Sequence, residues 1–139
     1  VGRKSEKSFL KISKQSFELS FFTSLIISLI FIFFSKSIIN ELTNLDFIVF
    51  MSYSFIYWII IIPPVASFCY QFDGIFIGAA QTSEMRNCMI ISVSLFILSS
   101  IYFSKLIGNH GLWLSLFLFM IFRSFTLNLF FFRIVKKLR

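Results

Sequence analysis

The sequence predicts an all-α membrane protein with four transmembrane helices, and three observations lead there. First, its 139 residues are 58% apolar and 20% aromatic, with 22 phenylalanines. A soluble domain of this size has no core large enough to bury them, so lipid must take up most of that surface. Second, four stretches reach the roughly 20 mainly apolar residues needed to cross a hydrocarbon core of about 30 Å. Third, nine of the thirteen basic residues lie in the first fourteen and last seven positions, and Lys and Arg mark segments that stay on the cytoplasmic side. Two cytoplasmic ends, 1–16 and 133–139, need an even number of crossings, and spans at about 17–34, 47–72, 85–104 and 112–132 supply four.

The net charge of +7 would suggest nucleic acid in a soluble protein. Here the basic residues flank apolar spans, so the bilayer and its anionic headgroups are the expected partner. Cys69 and Cys88 have no CxxC spacing and no neighbouring His, which argues against a disulfide or a metal. A secretory signal also begins basic and continues apolar, but Ser35-Lys36-Ser37 is a poor cleavage site and three more spans follow. Val1 in place of Met points to a piece of a longer protein.

The first span runs from Phe17 to Phe34, preceded by Phe9 to Ser16, a mixed stretch suited to the headgroup region. Ser16, Ser20, Ser24 and Ser28 recur every fourth residue and form a small polar stripe on one helix face. Such a stripe favours close approach of another helix over the other reading, a wall of a watery cavity. Ser35 to Asp46 reads as an outside loop. The second span, Phe47 to Phe72, contains Pro63 and Pro64, which donate no amide hydrogen. The carbonyls of Ile59 and Ile60 lose their helical partners and the axis should bend there. In lipid those carbonyls need water, a side chain or another helix. Tyr53, Tyr57 and Trp58 precede the bend, serving either packing and an interfacial belt or substrate contact.

Asp73, Gly74 and Gly78 follow. The GxxxG spacing permits close helix packing. A carboxylate among apolar residues costs several kcal/mol unless paired or hydrated. Asp73 is therefore either functional or a helix-end acid paired with Arg86 or free amides. The third span, Met85 to Ser104, reads as a packing helix after Arg86. Gly108-Asn109-His110-Gly111 suits a tight reversal, with His110 facing solvent and no second ligand nearby. The fourth span, Leu112 to Phe132, carries Arg123 nine residues from its end, roughly 13 Å, too far for simple snorkelling. Arg123 should face inward and pair with a carbonyl or carboxylate.

Two stretches, Asp73 to Asn87 (DGIFIGAAQTSEMRN) and Gly108 to Leu127 (GNHGLWLSLFLFMIFRSFTL), resemble the last helices of the multidrug and toxic compound extrusion (MATE) transporters, in the DinF-like branch. Val1-Gly2-Arg3 and Leu42-Thr43 add to the match, whereas Glu6 stands where the family loop often has glycine. The resemblance covers essentially the whole chain and implies helices nine to twelve of a twelve-helix fold built as two six-helix lobes, with residues 1–139 a C-terminal fragment of the second lobe. It places Gly74, Gly78, Arg86, Asn87, Gly108, Asn109, His110 and Gly111 in family motifs. It further implies secondary active export from a bacterial inner membrane, in which cationic or amphipathic drug-like compounds leave as sodium ions or protons enter. The missing N-terminal helices then become partners, and the coupling carboxylates, which lie largely in those helices, are not carried over.

Asp73, Arg123, Pro63, Pro64 and Tyr57 are thus the candidates for a transport pathway or its conformational change. Two further readings start from the residues alone. One is a self-sufficient four-helix transporter acting as a dimer, with Glu18 as exchange carboxylate despite its shallow position. The other is a membrane assembly subunit without turnover. An enzyme is not expected, because no nucleophile, base and orienting group occur together.

Overall fold

The structure, a computed structural model, describes residues 6–137. Arg3, Lys4 and Arg139 of the basic ends, and the Val1-Gly2-Arg3 motif, lie outside them. Five helices follow one another: α1 (Glu6–Leu42), α2 (Asp46–Tyr53), α3 (Ile56–Gly78), α4 (Thr82–Ile107) and α5 (Asn109–Lys137). All but α2 are long and apolar enough to cross a membrane. Large apolar side chains point outward along them, Phe33 76% exposed and Leu98 66%. Water would not tolerate that surface, whereas lipid tails match it. The protein is an integral membrane protein.

The helices extend beyond the spans expected from composition. At 1.5 Å per residue, the 37 residues of α1 measure about 56 Å, more than the roughly 40–45 Å of a bilayer with its headgroups. The stretch from Phe9 to Ser16 is therefore not a separate piece beside the bundle: it continues α1. Phe9 stacks on Phe131 at 5.8 Å, and Phe17 meets Phe72 edge-on at 4.9 Å. Most of the segment expected as an outside loop is helical too, since α1 ends only at Leu42 and α2 starts at Asp46.

The second span breaks earlier than its prolines suggest. The break falls at Ser54 and Phe55, whose amides donate to the carbonyls of Met51 and Ser52 in tightened i to i+3 turns. α3 then runs helical through Pro63 and Pro64 to Gly78. A helix can hold at such a place when a neighbour satisfies the freed backbone. Here the hydroxyl of Ser28, on α1, donates to the Ile60 carbonyl at 2.8 Å.

α3 and α5 are the middle pair; α1 packs on α3 and α4 on α5. At one end of the bundle the start of α1, the end of α5 and the α3–α4 turn meet around Phe72, Phe76, Ala79, Cys88 and Leu127. At the other end, Tyr53 donates to the Asn40 amide oxygen at 3.3 Å and the Trp58 indole donates to His110 Nδ1 at 3.2 Å. Those bonds tie the α1–α2 connection, the α2–α3 break and the α4–α5 turn together. The two ends of the described chain therefore lie on the same side of the bundle.

Both hairpin turns have a local cause. The α3–α4 turn closes by a Schellman arrangement in which Gln81 N–H donates to Phe76 and Ala80 N–H to Ile77, both at 3.0 Å. Ala80 takes the left-handed position at φ 55°, where glycine is the usual residue. The α4–α5 reversal rests on Gly108, at φ 60° and ψ −137°, and on Gly111, where an added Cβ would fall on the Phe103 carbonyl.

Candidate functional site

The most costly side chain in the bundle is Arg123. It sits fourteen residues from the start of α5, about 21 Å along the axis, and is 3% exposed. α5 carries it inward because the neighbouring positions Met120 and Leu127, three and four residues away, are also buried and define the same face. A guanidinium stays charged at any accessible pH, so burial at this depth requires a counter-charge.

Asp73 of α3 supplies it. Arg123 Nη2 donates to Asp73 Oδ1 at 2.7 Å and Nε donates to Oδ2 at 3.3 Å, a two-pronged pair across the two middle helices. The remaining prong, Nη1, points at the sulfur of Met89 on α4 at 2.6 Å. One side chain thus holds three helices. Asp73 lies five residues before the end of α3, where the helix dipole disfavours a negative charge. Its stability there comes from Arg123, while Arg86, the partner considered from sequence, is exposed at the start of α4.

The two halves of the pair are unequal. The Arg123 side chain is 4% exposed and that of Asp73 20%, so the carboxylate keeps an open edge and the guanidinium has none. Around them lie small polar groups. Cys69, one turn before Asp73, neighbours Arg123 and Ser124, and Thr126 donates to the Arg123 carbonyl at 2.9 Å. The Ser124 hydroxyl is buried without a partner among the described residues. Cys69 and Cys88 are free and buried. Among the described residues no three His, Cys, Asp or Glu side chains come together as a metal site would need.

The other sequence candidates are dispersed. Pro63 and Pro64 sit mid-way along α3, against α1 rather than beside the ion pair. Tyr57 is 74% exposed and about 24 Å along α3 from Asp73. Gly74 and Gly78 have nothing within 4 Å of an added Cβ, so no helix among the described residues uses the GxxxG face. Arg86 and Asn87 are exposed. Gly108, Asn109, His110 and Gly111 form the reversal, and His110, though exposed, accepts the Trp58 bond and lies tilted against the Phe55 ring at 4.7 Å. Glu18 is exposed and lies 3.8 Å from Lys14 on the same helix. That is a surface i, i+4 pair, not an interior carboxylate.

Two participants escaped sequence reasoning. Met89 carries no signal of its own, being an ordinary apolar residue in an apolar span. The contact of Ser28 with Ile60 was half visible, as a serine in a stripe and as a carbonyl lacking a donor. Only the packing of α1 on α3 joins the two.

No family model matches the chain, and no solved structure does. A curated protein does match: DNA damage-inducible protein F of Escherichia coli (strain K12) is 32% identical over 126 residues, 91% of this chain. The chain spans 27% of the length of that protein. Across nearly all of its own length, then, this chain is similar to part of the Escherichia coli DinF protein, the branch that its motifs resemble.

Proposed function

We propose that the chain supplies four C-terminal helices to the second lobe of a secondary active exporter, which moves cationic or amphipathic compounds out of a bacterium in exchange for sodium ions or protons. In this reading both described ends face the cytoplasm across the inner membrane, the remaining helices of the same protein are its partners, and the first eight precede these four. The observation that carries it is the 32% identity over 91% of the chain.

The ion pair then has a mechanical part. Arg123 and Asp73 tie α5 to α3 and, through Met89, to α4, so these three helices move as one body when the lobes alternate between openings. Binding of substrate and coupling ion takes place at the interface with the helices that lie outside this chain. A bundle braced in this way suits the rigid-body rocking by which repeat-built transporters work.

The test uses the complete protein that contains this segment, expressed in a bacterium lacking its major exporters. Cells carrying it should accumulate less ethidium than cells with an empty vector, and collapse of either the sodium or the proton gradient should abolish the difference. Equal accumulation in both strains, with the protein confirmed in the membrane, would refute the export reading.

A further inference from the structure

We infer that Ser28 and the Pro63–Pro64 step form a latch and a hinge inside the membrane: the Ser28 hydroxyl closes a backbone gap in α3 that the prolines open, and α3 flexes there only when α1 lets go. The inference does not depend on the export reading.

The argument begins with what proline removes. In a regular helix the Ile60 carbonyl accepts from the amide of residue 64, and Pro64 has no such hydrogen. An unpaired carbonyl in an apolar setting is destabilising, because its lost water is not replaced by another donor. Ser28 donates to this oxygen at 2.8 Å from the neighbouring helix, and it is 5% exposed, so water does not compete. Of the serine stripe on α1, Ser24 is also buried but turns back to its own helix, donating to Phe21 at 2.7 Å. Within the stripe, Ser28 is the serine whose hydroxyl bonds across to α3 among the described residues. One turn beyond the prolines, Ser67 donates to the Pro64 carbonyl at 2.7 Å; this kind of local back-bonding accompanies bent helices. The step at Pro63–Pro64 is thus short of backbone bonds, and side chains hold it in place.

A consequence is that the latch closes in this α1–α3 register: sliding α1 by one turn in one direction would bring Ile32, which has no side-chain donor, opposite Ile60. Phe17 and Phe21 packing on Phe68 and Phe72 fix the same register from the terminal side. Ser28 is therefore a positioning residue, acting on α3 through one carbonyl.

The experiment compares Ser28→Thr with Ser28→Val in the complete protein, since the two side chains have nearly the same shape and differ in the hydroxyl. Hydrogen exchange of the α3 amides flanking the prolines, within 59–68, should be near wild type in Ser28→Thr and about tenfold faster in Ser28→Val. Exchange in α4 should not change. A second arm places Ser28→Val in a Pro64→Ala background, where residue 64 regains an amide for Ile60 and the acceleration should disappear. Equal exchange in the Thr and Val variants would overturn the latch. So would acceleration spread over all helices, or an unchanged effect of Ser28→Val beside Pro64→Ala. If Pro64→Ala does not accumulate, the Thr and Val pair decides alone.

Discussion

Arg123 and Asp73 are not interchangeable halves of their pair. Removing one partner of a buried ion pair leaves the other charge unpaired, a loss of about 3–5 kcal/mol. Arg123 cannot escape that penalty, because it is sealed and does not deprotonate. Asp73 has an open edge, through which it can hydrate. Asp73→Asn should therefore destabilise the complete protein more than Arg123→Leu, although both lower export and neither prevents insertion. Thermal denaturation in detergent would show it, with melting temperatures falling in the order wild type, Arg123→Leu, Asp73→Asn. The reverse order would mean that the guanidinium finds another acceptor. Residue identity made both charges conspicuous in the sequence. That they serve each other was not legible, because a separation of fifty positions places no constraint on which faces of α3 and α5 meet.

Turn geometry is decided at the level of the element. Ala80 holds a left-handed conformation that costs an L-residue about 1 kcal/mol or more and glycine almost nothing. Ala80→Gly should raise the melting temperature slightly, by up to about 1 kcal/mol of stability, and a decrease would show that the alanine methyl group packs usefully. At the opposite end, Gly111→Ala drives a methyl group into the Phe103 backbone, which lies on the adjacent helix and cannot rotate away. That substitution should cost about 1–3 kcal/mol, as overpacking does, visible as loss of folded protein on size-exclusion chromatography; wild-type yield and stability would contradict the close approach. The α4–α5 reversal was readable from its two glycines. The α3–α4 turn was not, since Gly78-Ala79-Ala80 looks like a helix and only the carbonyls of Phe76 and Ile77 show where it ends. Likewise Pro63 and Pro64 are where the sequence predicts the second span to bend. The break lies at Ser54–Phe55, whose amides close i to i+3 turns, while at the proline step Ser28 donates to the Ile60 carbonyl and the helix continues.

For the whole molecule, the claim to test is the sidedness of four crossings. Lys7 and Arg133 lie at the end where α1 begins and α5 finishes, and Asn44 lies in the α1–α2 connection at the other. Single variants Lys7→Cys, Arg133→Cys and Asn44→Cys report on this directly, because native Cys69 and Cys88 are buried. In intact cells a membrane-impermeant maleimide should label Asn44→Cys alone, and the other two should react only after permeabilisation. Labelling of Lys7→Cys and Arg133→Cys from opposite faces would break the even-crossing topology and the bundle with it.

By itself the sequence determined that this chain is helical, lives in a bilayer and has four segments long and apolar enough to cross it, because the hydrophobic effect acts on composition and length and needs no partner to be read. It also singled out Arg123, Asp73 and the prolines, since each carries a penalty in lipid that belongs to the residue type. Only the tertiary structure decided how those penalties are met: Arg123 by Asp73 and Met89, the Ile60 carbonyl by Ser28. Such pairings depend on the rotation and register of neighbouring helices, and those follow from many weak packing contacts that leave no single mark on the chain.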